Sequence, residues 1–251
     1  MNTRRFRPSS RLFLCFAIVM LLAGCSSRPP AEQVAPPPTQ SAHQEQDHWI
    51  RVADPLEAFN RRVYRFNYYA DEYVVLPIVM GYRKVMPDVA EKGVSNFIDN
   101  ILELTNFSNS LLQLKPKASL ITLGRFVTNT TVGLLGLFDP ATELGLQRQD
   151  EDFGQTLGFY GVGNGPYLVL PLIGPTNLRD SLGMLGDNTL FTGVDPLNLD
   201  DHQTREYVFK SLYGVDKRTR VPFRYYASGN PFEYEWVRFL YTQKRLLQIK
   251  E

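Results

Sequence analysis

The pattern of apolar and polar residues predicts a mostly helical domain. The stretch Asp54-Pro55-Leu56-Glu57 combines a capping Asp, a proline and a Glu, which together mark a helix start. Apolar residues then recur every three or four positions as far as Ala70. The same signal at Asn230-Pro231-Phe232-Glu233 precedes a second such run, which continues to Leu247, and a third run covers 94–104. We therefore expect an amphipathic helix at each of these three places.

Two weaker helical patterns and one extended segment complete this prediction. The helical patterns cover 176–185 and 201–212. Residues 157–172 combine clustered glycines with an apolar run from Leu168, which predicts a short glycine-rich hairpin. Glycine adopts backbone angles closed to other residues, so we expect a hinge or tight turn, or else a rigid structural turn, at three positions. These are Gly161, Gly163 and Gly165.

The same glycines raise the question of a nucleotide phosphate loop. Such a loop needs a helix directly after it, whose free N–H groups face the anion. Here Leu168-Val169-Leu170-Pro171 follows, which is a short extended run. The spacing also differs from Gly-x-Gly-x-x-Gly, so we do not expect a nucleotide site.

The segment from Ala118 to Phe138 is the most apolar part of the predicted domain. Arg125 is its only charged residue. Its 21 residues allow three interpretations: a membrane span, a buried helix of a water-soluble core, or a membrane-embedded helix that faces a polar interior. An arginine costs about 2.5–3.5 kcal/mol at a membrane centre, which argues against the span. The pattern does not decide between the other two.

The first 24 residues predict a secretory signal peptide. Four arginines precede an apolar run at 12–22, which is too short to span a bilayer. Leu22-Ala23-Gly24-Cys25 resembles the bacterial lipobox, so we expect Cys25 to be acylated. Two acyl chains suffice for stable membrane attachment. Ser26, in place of an Asp, indicates sorting to the outer membrane of a Gram-negative bacterium.

Composition limits the remaining choices. The chain has 27 Lys+Arg and 26 Asp+Glu, and the first 24 residues hold four of the arginines and no acidic residue, so the remainder carries a net charge of −3. Nucleic acid is therefore not an expected partner. Residues 25–53 are proline-rich and predict a disordered tether behind the lipidated Cys25. With Cys25 acylated, no thiol remains for a disulfide, and we expect packing alone to hold the core.

Several stretches together resemble the MlaA (VacJ-like) family of lipoproteins. They are Asp54-Pro-Leu-Glu-Ala-Phe-Asn60-Arg61, Gly133-Leu-Leu-Gly136-Leu-Phe-Asp139, and the glycine-rich run from Phe153 to Pro175. The resemblance covers 54–220 and sets apart a C-terminal helical tail at 221–251. It implies a ring-like arrangement of amphipathic helices embedded in one membrane leaflet, around an amphipathic channel. Removal of phospholipids from the outer leaflet, a trimeric porin partner and a soluble periplasmic lipid carrier are also implied, with energy supplied by another complex.

These implications assign roles to particular residues. A phospholipid needs a passage with one polar and one apolar wall, because neither its tails in water nor its headgroup in hydrocarbon is tolerable. We expect Arg125, Asn129 and Thr130 to line it. The glycine-rich hairpin should place its apolar tip at the channel mouth. Phe66 and Asn67 lie on the first helix, and we expect them to contact lipid or the porin. The alternative is that this part of the helix carries surface aromatic residues at a membrane interface.

An enzymatic function has little support in the sequence. The three histidines are His43 and His48 in the tether and His202 beside Asp201, and there is no Gly-x-Ser-x-Gly motif. No Cys or His cluster has metal-ligand spacing, so we expect neither a metal nor a cofactor. The alternative to lipid transport is a structural lipoprotein that stabilises the outer membrane or a porin without moving lipid.

Overall fold

The computed structural model describes residues 52–197 and 203–250. The predicted signal peptide, Cys25 and all three histidines lie outside the described residues. The helices are α1 (Glu57–Ala70), α2 (Leu76–Val85), α3 (Asp88–Leu112), α4 (Pro116–Thr131), α5 (Pro140–Glu143), α6 (Phe153–Phe159), α7 (Leu178–Val194), α8 (Gln203–Thr219) and α9 (Glu233–Lys250). One antiparallel hairpin joins β1 (Tyr167–Leu170) to β2 (Gly174–Asn177). The prediction of a mostly helical fold with one short hairpin is confirmed.

The first predicted helix is longer than its pattern indicated. α1 continues through a π-helical turn at Asp71–Val75 directly into α2. The Asp71 carboxylate accepts two hydrogen bonds from the Arg218 guanidinium of α8, at 2.7 and 2.8 Å. π-turns are rare and often mark functional positions in helices. Met86 is extended because Pro87 follows it, and the helix ends there.

The hairpin lies further along the chain than 157–172, so the predicted range is wrong. Asp152 caps α6 by accepting a hydrogen bond from the Gln155 amide, which starts a helix where the glycines predicted extended chain. The strand register pairs Tyr167 with Asn177 and Leu170 with Gly174. The weak helical pattern at 176–185 starts two residues too early, because its first two residues belong to β2. Asn177 then caps α7 by accepting from the Asp180 amide.

The segment from Ala118 to Phe138 is interrupted. α4 ends at Thr131, and a series of turns follows in which Gly136 has φ +89°. An added Cβ on Gly136 would come within 2.6 Å of the Asn100 side chain, so the turn packs closely against α3. Among the described residues, no helix is both long enough and apolar enough to cross a membrane.

A small apolar core forms where α1, the hairpin and α9 meet. It contains Val63, Tyr64, Tyr167, Val169 and Tyr234. The C-terminal tail is therefore part of the fold, and the described residues belong to one compact unit across the expected boundary at 220.

Candidate functional site

The distribution of side chains is the reverse of that in a water-soluble protein. Among the described residues, more than twice as many polar or charged side chains as apolar ones are buried. Exposed large apolar side chains outnumber buried apolar ones several-fold. Soluble proteins rarely expose large contiguous apolar patches and rarely bury charges. The outer surface therefore fits an apolar environment better than water.

Helix α4 shows this reversal residue by residue. One face is buried and polar, and the opposite face is exposed and apolar, with both stripes at helical spacing. The buried face contains Ser119, Thr122, Arg125 and Asn129, and the exposed face contains Leu120, Leu123 and Val127. Of the interpretations left open for this segment, the helix facing a polar interior fits best.

Arg125 is the centre of a buried polar cluster. Its Nε donates to Glu103 Oε1 at 2.7 Å. Nη1 donates to Thr142 Oγ1 at 2.9 Å and to the Leu146 carbonyl, and Nη2 donates to both oxygens of Asp139 at 3.2 and 3.3 Å. Burial raises the pKa of Glu103, and the bonds to Arg125 oppose that rise. All three nitrogens of the guanidinium are thus engaged within the protein.

Asn129 and Thr130 belong to neighbouring contacts. Asn129 Nδ2 donates to Asp139 Oδ1 at 2.9 Å, and its Oδ1 accepts from the Ala141 amide at 3.0 Å. Thr130 Oγ1 accepts from Asn100 Nδ2 at 2.9 Å. The structure brings Arg125 and Asn129 together on Asp139 and leaves Thr130 on another contact. It gives Arg125 and Asn129 positioning contacts within the protein, and a lining role for the three residues stays a prediction.

A second buried ionic cluster was not anticipated from the sequence. The Arg245 guanidinium of α9 donates to Asp180 of α7 at 2.8 and 3.0 Å, and to Asp152 at 2.7 and 2.8 Å. Burial alone would raise the pKa of Asp180, but hydrogen bonds from Arg245, Tyr241 and neighbouring groups hold it below its ordinary value. The cluster joins α6, α7 and α9. The expectation that packing alone holds the core is wrong, because ion pairs occupy the interior.

Two asparagines of α1 hold the outer edge of β1. Asn60 Nδ2 donates to the Tyr167 carbonyl at 3.0 Å, and its Oδ1 accepts from the Val169 amide at 2.9 Å. Asn67 repeats the contact with the Leu170 carbonyl at 3.0 Å and the Leu172 amide at 2.7 Å. Seven helical residues rise about 10.5 Å and three strand residues about 10 Å, so the two spacings match. We call this pair the asparagine clamp.

The clamp bears on the two candidate contact residues of α1. Asn67 is buried, and its amide is used inside the protein, so the structure gives it a positioning role for the hairpin turn. Phe66 is about half exposed on the outer face of α1. Contact of either residue with lipid or a porin stays a prediction.

The three candidate glycines lie in the connection between α6 and β1, before the hairpin. Gly161 and Gly165 have φ of +87° and +65°, so both use backbone angles that favour glycine. Gly163 is not among the residues with positive φ, and nothing lies within 4 Å of an added Cβ there. The hinge hypothesis therefore stays a prediction that rests on Gly161 and Gly165 by conformation and on Gly163 by open space alone.

Four exposed leucines adopt strained backbone angles at turns. Leu114, Leu134, Leu135 and Leu172 have φ between +52° and +63°, and their side chains are 60–73% exposed. The left-handed conformation costs roughly 1–2 kcal/mol in a residue other than glycine. A leucine that is both strained and exposed stabilises neither the turn nor the core, so the stability of the fold does not explain why leucine occupies these positions.

Among the described residues, no group of His, Cys, Asp or Glu side chains has the arrangement of a metal site.

Fold and side chains together define a helical type of protein with a largely apolar exterior around an ion-paired interior. The chain belongs to the MlaA lipoprotein family, whose model matches residues 52–248. The match extends past 220 to near the end of α9, beyond the region in which the sequence motifs were recognised.

Individual relatives agree with this assignment. A protein of Rickettsia felis is 42% identical over 182 residues, which cover 72% of this chain and 71% of the relative. The intermembrane phospholipid transport system lipoprotein MlaA of Escherichia coli K12 is 42% identical over 139 residues, or 54% of this chain and 55% of that protein. A solved structure from work on the structural basis for maintenance of bacterial outer membrane lipid asymmetry superposes with a TM-score of 0.64 at 30% identity, over 79% of this chain and all of the other.

Proposed function

We propose that this chain is an outer-membrane lipoprotein that removes mislocalised phospholipids from the outer leaflet and delivers them to a soluble periplasmic carrier. The apolar exterior around an ion-paired interior is the observation that carries the proposal. The relatives named as phospholipid transport lipoproteins support it. The chain itself supplies binding and passage, without catalysis, and maintains the lipid asymmetry of the membrane.

The proposed arrangement is a ring of helices in the inner leaflet around a two-faced passage, beside a trimeric porin. Exposing the roughly 30 methylenes of a two-chain lipid to water would cost on the order of 20 kcal/mol at about 0.8 kcal/mol each. The passage must therefore cover the tails and solvate the headgroup. α4 supports this proposal because its polar face is fixed by Arg125 and Asn129 and its apolar face is open.

The strained leucines fit this location. In an apolar phase, an exposed leucine side chain contributes about 1.5–3 kcal/mol relative to water, which offsets the backbone cost. Leu134 and Leu135 lie side by side after α4, so they are the strongest pair of insertion points.

This role can be tested on protein carrying Cys25→Ala, so that no acyl chain contributes to vesicle binding. Leu134→Gly/Leu135→Gly should weaken binding roughly 100-fold while leaving thermal stability equal or higher, because glycine relieves the strain. Leu134→Ala/Leu135→Ala should weaken binding without that relief. Unchanged vesicle binding in both variants would remove these leucines from the membrane contact.

The transport function is tested in cells. An Escherichia coli strain without its own MlaA is complemented with this chain, and phosphatidylethanolamine on the surface of intact cells is measured with a membrane-impermeant amine reagent. We expect complementation to lower the surface signal. A surface signal that stays high while outer-membrane integrity and porin levels recover would instead indicate the alternative function, a structural or porin-stabilising lipoprotein.

The hinge hypothesis is tested in the same strain. Gly161→Ala/Gly163→Ala should alter surface phospholipid while the protein still reaches the outer membrane. In Gly163→Ala alone, the added Cβ has no neighbour within 4 Å and the backbone angle is not strained. This variant therefore reduces backbone flexibility without disturbing the fold. Normal surface phospholipid in both variants would leave the glycines a rigid structural connection.

A further inference from the structure

A polar cavity of about 660 Å³ lies where the end of α2 and the first half of α3 meet the chain after α8. Three cationic and three anionic side chains line it, so its formal charges balance. They are Arg83, Lys92 and Arg220, and Asp88, Glu91 and Asp99.

Some of these charges are already paired within the protein. Arg83 donates to Glu91 at 3.3 Å, and Arg220 donates to Asp99 at 2.8 Å. Lys92 and Asp88 are exposed and make no ion pair within the part of the chain that the structure describes. The cavity therefore offers one available ammonium and one available carboxylate in addition to its paired charges.

An apolar groove of about 430 Å³ lies between α2 and α8. Its lining is almost entirely aliphatic and aromatic, and Ser211 is the exception. The apolar residues include Ile78, Tyr207, Val208 and Leu212. Both volumes fall in the range of about 300–1,000 Å³ that small-molecule sites occupy.

Tyr82 connects the two spaces. Its ring lines the apolar groove, and the next residue, Arg83, lines the polar cavity. The Tyr82 hydroxyl is buried and has no hydrogen-bond partner among the described residues. Burial raises the pKa of this hydroxyl, and the nearby charges of Glu91 and Asp216 raise it further. Val215 lines the groove, and its neighbour Asp216 binds Arg220 and Ser95 of the cavity wall. The cavity and the groove therefore adjoin at Tyr82–Arg83 and at Val215–Asp216.

We infer that the cavity and the groove together seat one phospholipid, with a zwitterionic amine-bearing headgroup in the cavity and an acyl chain in the groove. This inference rests on the proposed function and names the substrate class and its position. Lys92 and Arg83 face the phosphate, and Asp88 faces the ammonium.

The balance of charge sets the headgroup preference. A phosphate with an attached ammonium satisfies both signs of the cavity. A headgroup with a phosphate and an uncharged glycerol satisfies the cations and leaves the Asp88 carboxylate facing a net negative ligand. Like charges at close range disfavour each other, so phosphatidylethanolamine should bind more tightly than phosphatidylglycerol.

The test uses the purified full-length protein and two soluble probes, dihexanoyl-phosphatidylethanolamine and dihexanoyl-phosphatidylglycerol, with binding measured by native mass spectrometry. Lys92→Gln should weaken binding of both probes about tenfold, since a charge-assisted contact is lost. Asp88→Asn should weaken the ethanolamine probe alone and so remove the preference. Val208→Asn should weaken both probes. Lys117→Gln and Val194→Asn, exposed residues of the same types outside the cavity and groove, are the matched controls and should change nothing.

Two results would overturn the proposal that the cavity and the groove bind one phospholipid. If the wild type binds both probes equally and the three variants behave like their controls, lipid binds elsewhere and the transport proposal stands without this site. If neither probe binds, the seat is wrong as well, and the cellular complementation measurement then decides the transport proposal independently.

Discussion

The asparagine clamp makes a sharp prediction about the hairpin. Asn60→Ala removes the side-chain partner of the Tyr167 carbonyl and the Val169 amide. Asn67→Ala does the same to the Leu170 carbonyl and the Leu172 amide at the turn. Each change tests one end of the contact between α1 and β1.

The two ends should differ in magnitude. Val169 is fully buried, so its amide has no access to water when Asn60 is lost. A buried donor or acceptor without a partner costs about 1–3 kcal/mol, and Asn60→Ala leaves two such groups. A loss of about 2–3 kcal/mol in the free energy of local opening raises the opening equilibrium constant, and with it the rate of amide exchange, roughly 30- to 160-fold. Leu172 is exposed, so water replaces part of the lost contact and we expect about tenfold or less for Asn67→Ala.

Amide hydrogen exchange measures both changes. The Val169 amide should exchange faster in Asn60→Ala, and the Leu172 amide in Asn67→Ala, while amides of α4 stay at wild-type rates. Asn96→Ala is the control, because Asn96 also donates to a backbone carbonyl, that of Leu137, but is remote from the hairpin. Wild-type protection of the Val169 amide in Asn60→Ala would refute the clamp.

Three further predictions concern stability, each measured by thermal or denaturant unfolding. Arg125→Leu should cost about 3–5 kcal/mol because the carboxylate of Glu103 stays buried without its cation, and adding Glu103→Leu should recover most of the loss; a double variant no better than the single would contradict this. Gly183→Ala places a Cβ 2.4 Å from a backbone nitrogen of α6 and should lower the melting temperature, whereas Gly193→Ala, with open space, should not. Burial raises the pKa of Asp187 from 3.8 to about 6, so the carboxyl favours the folded state when protonated. Its contribution to the free energy of unfolding should fall as the pH rises from 3.8 through about 6, and Asp187→Asn should flatten that decline; an identical pH profile would exclude Asp187 as its source.

Local signals in the sequence predicted the positions of α1, α3 and α9, but not the full length of α3, and they did not predict α2 or α6. The stretches 54–57 and 230–233 located the starts of α1 and α9 to within about one turn, since these helices begin at Glu57 and Glu233. The predicted cap is wrong for α1, because Leu56 is its N-cap residue and no side chain caps it. Their apolar spacing gave the helix type. The clustered glycines and the apolar run from Leu168 predicted the presence of a hairpin, and the resemblance to the family supplied the order of the segments.

Contacts between distant residues could not be predicted in this way. Asp180 and Arg245 are 65 residues apart, and nothing in the local pattern of either indicates the other. The hairpin was misplaced because glycine has two uses. Gly158 and Gly154 serve close packing within and beside α6, where a Cβ would meet Ile249 or Asp180, and not an extended chain. Only the partner surfaces distinguish these uses.

Under the proposed function, the buried polar side chains and the exposed apolar side chains have a common explanation. When a leucine side chain of a lipid-surrounded helix exchanges its contact with lipid for a contact with another leucine, it gains no hydrophobic free energy. Apolar burial therefore cannot hold such helices together. Cohesion must then come from polar contacts, and these are worth more where water is excluded. The clusters around Arg125 and Arg245 lie where α3 meets α4 and where α6, α7 and α9 meet. Most large apolar residues are therefore left for the exterior, apart from the small core where α1, the hairpin and α9 meet, and the buried polar contacts hold the helices in place around the proposed passage.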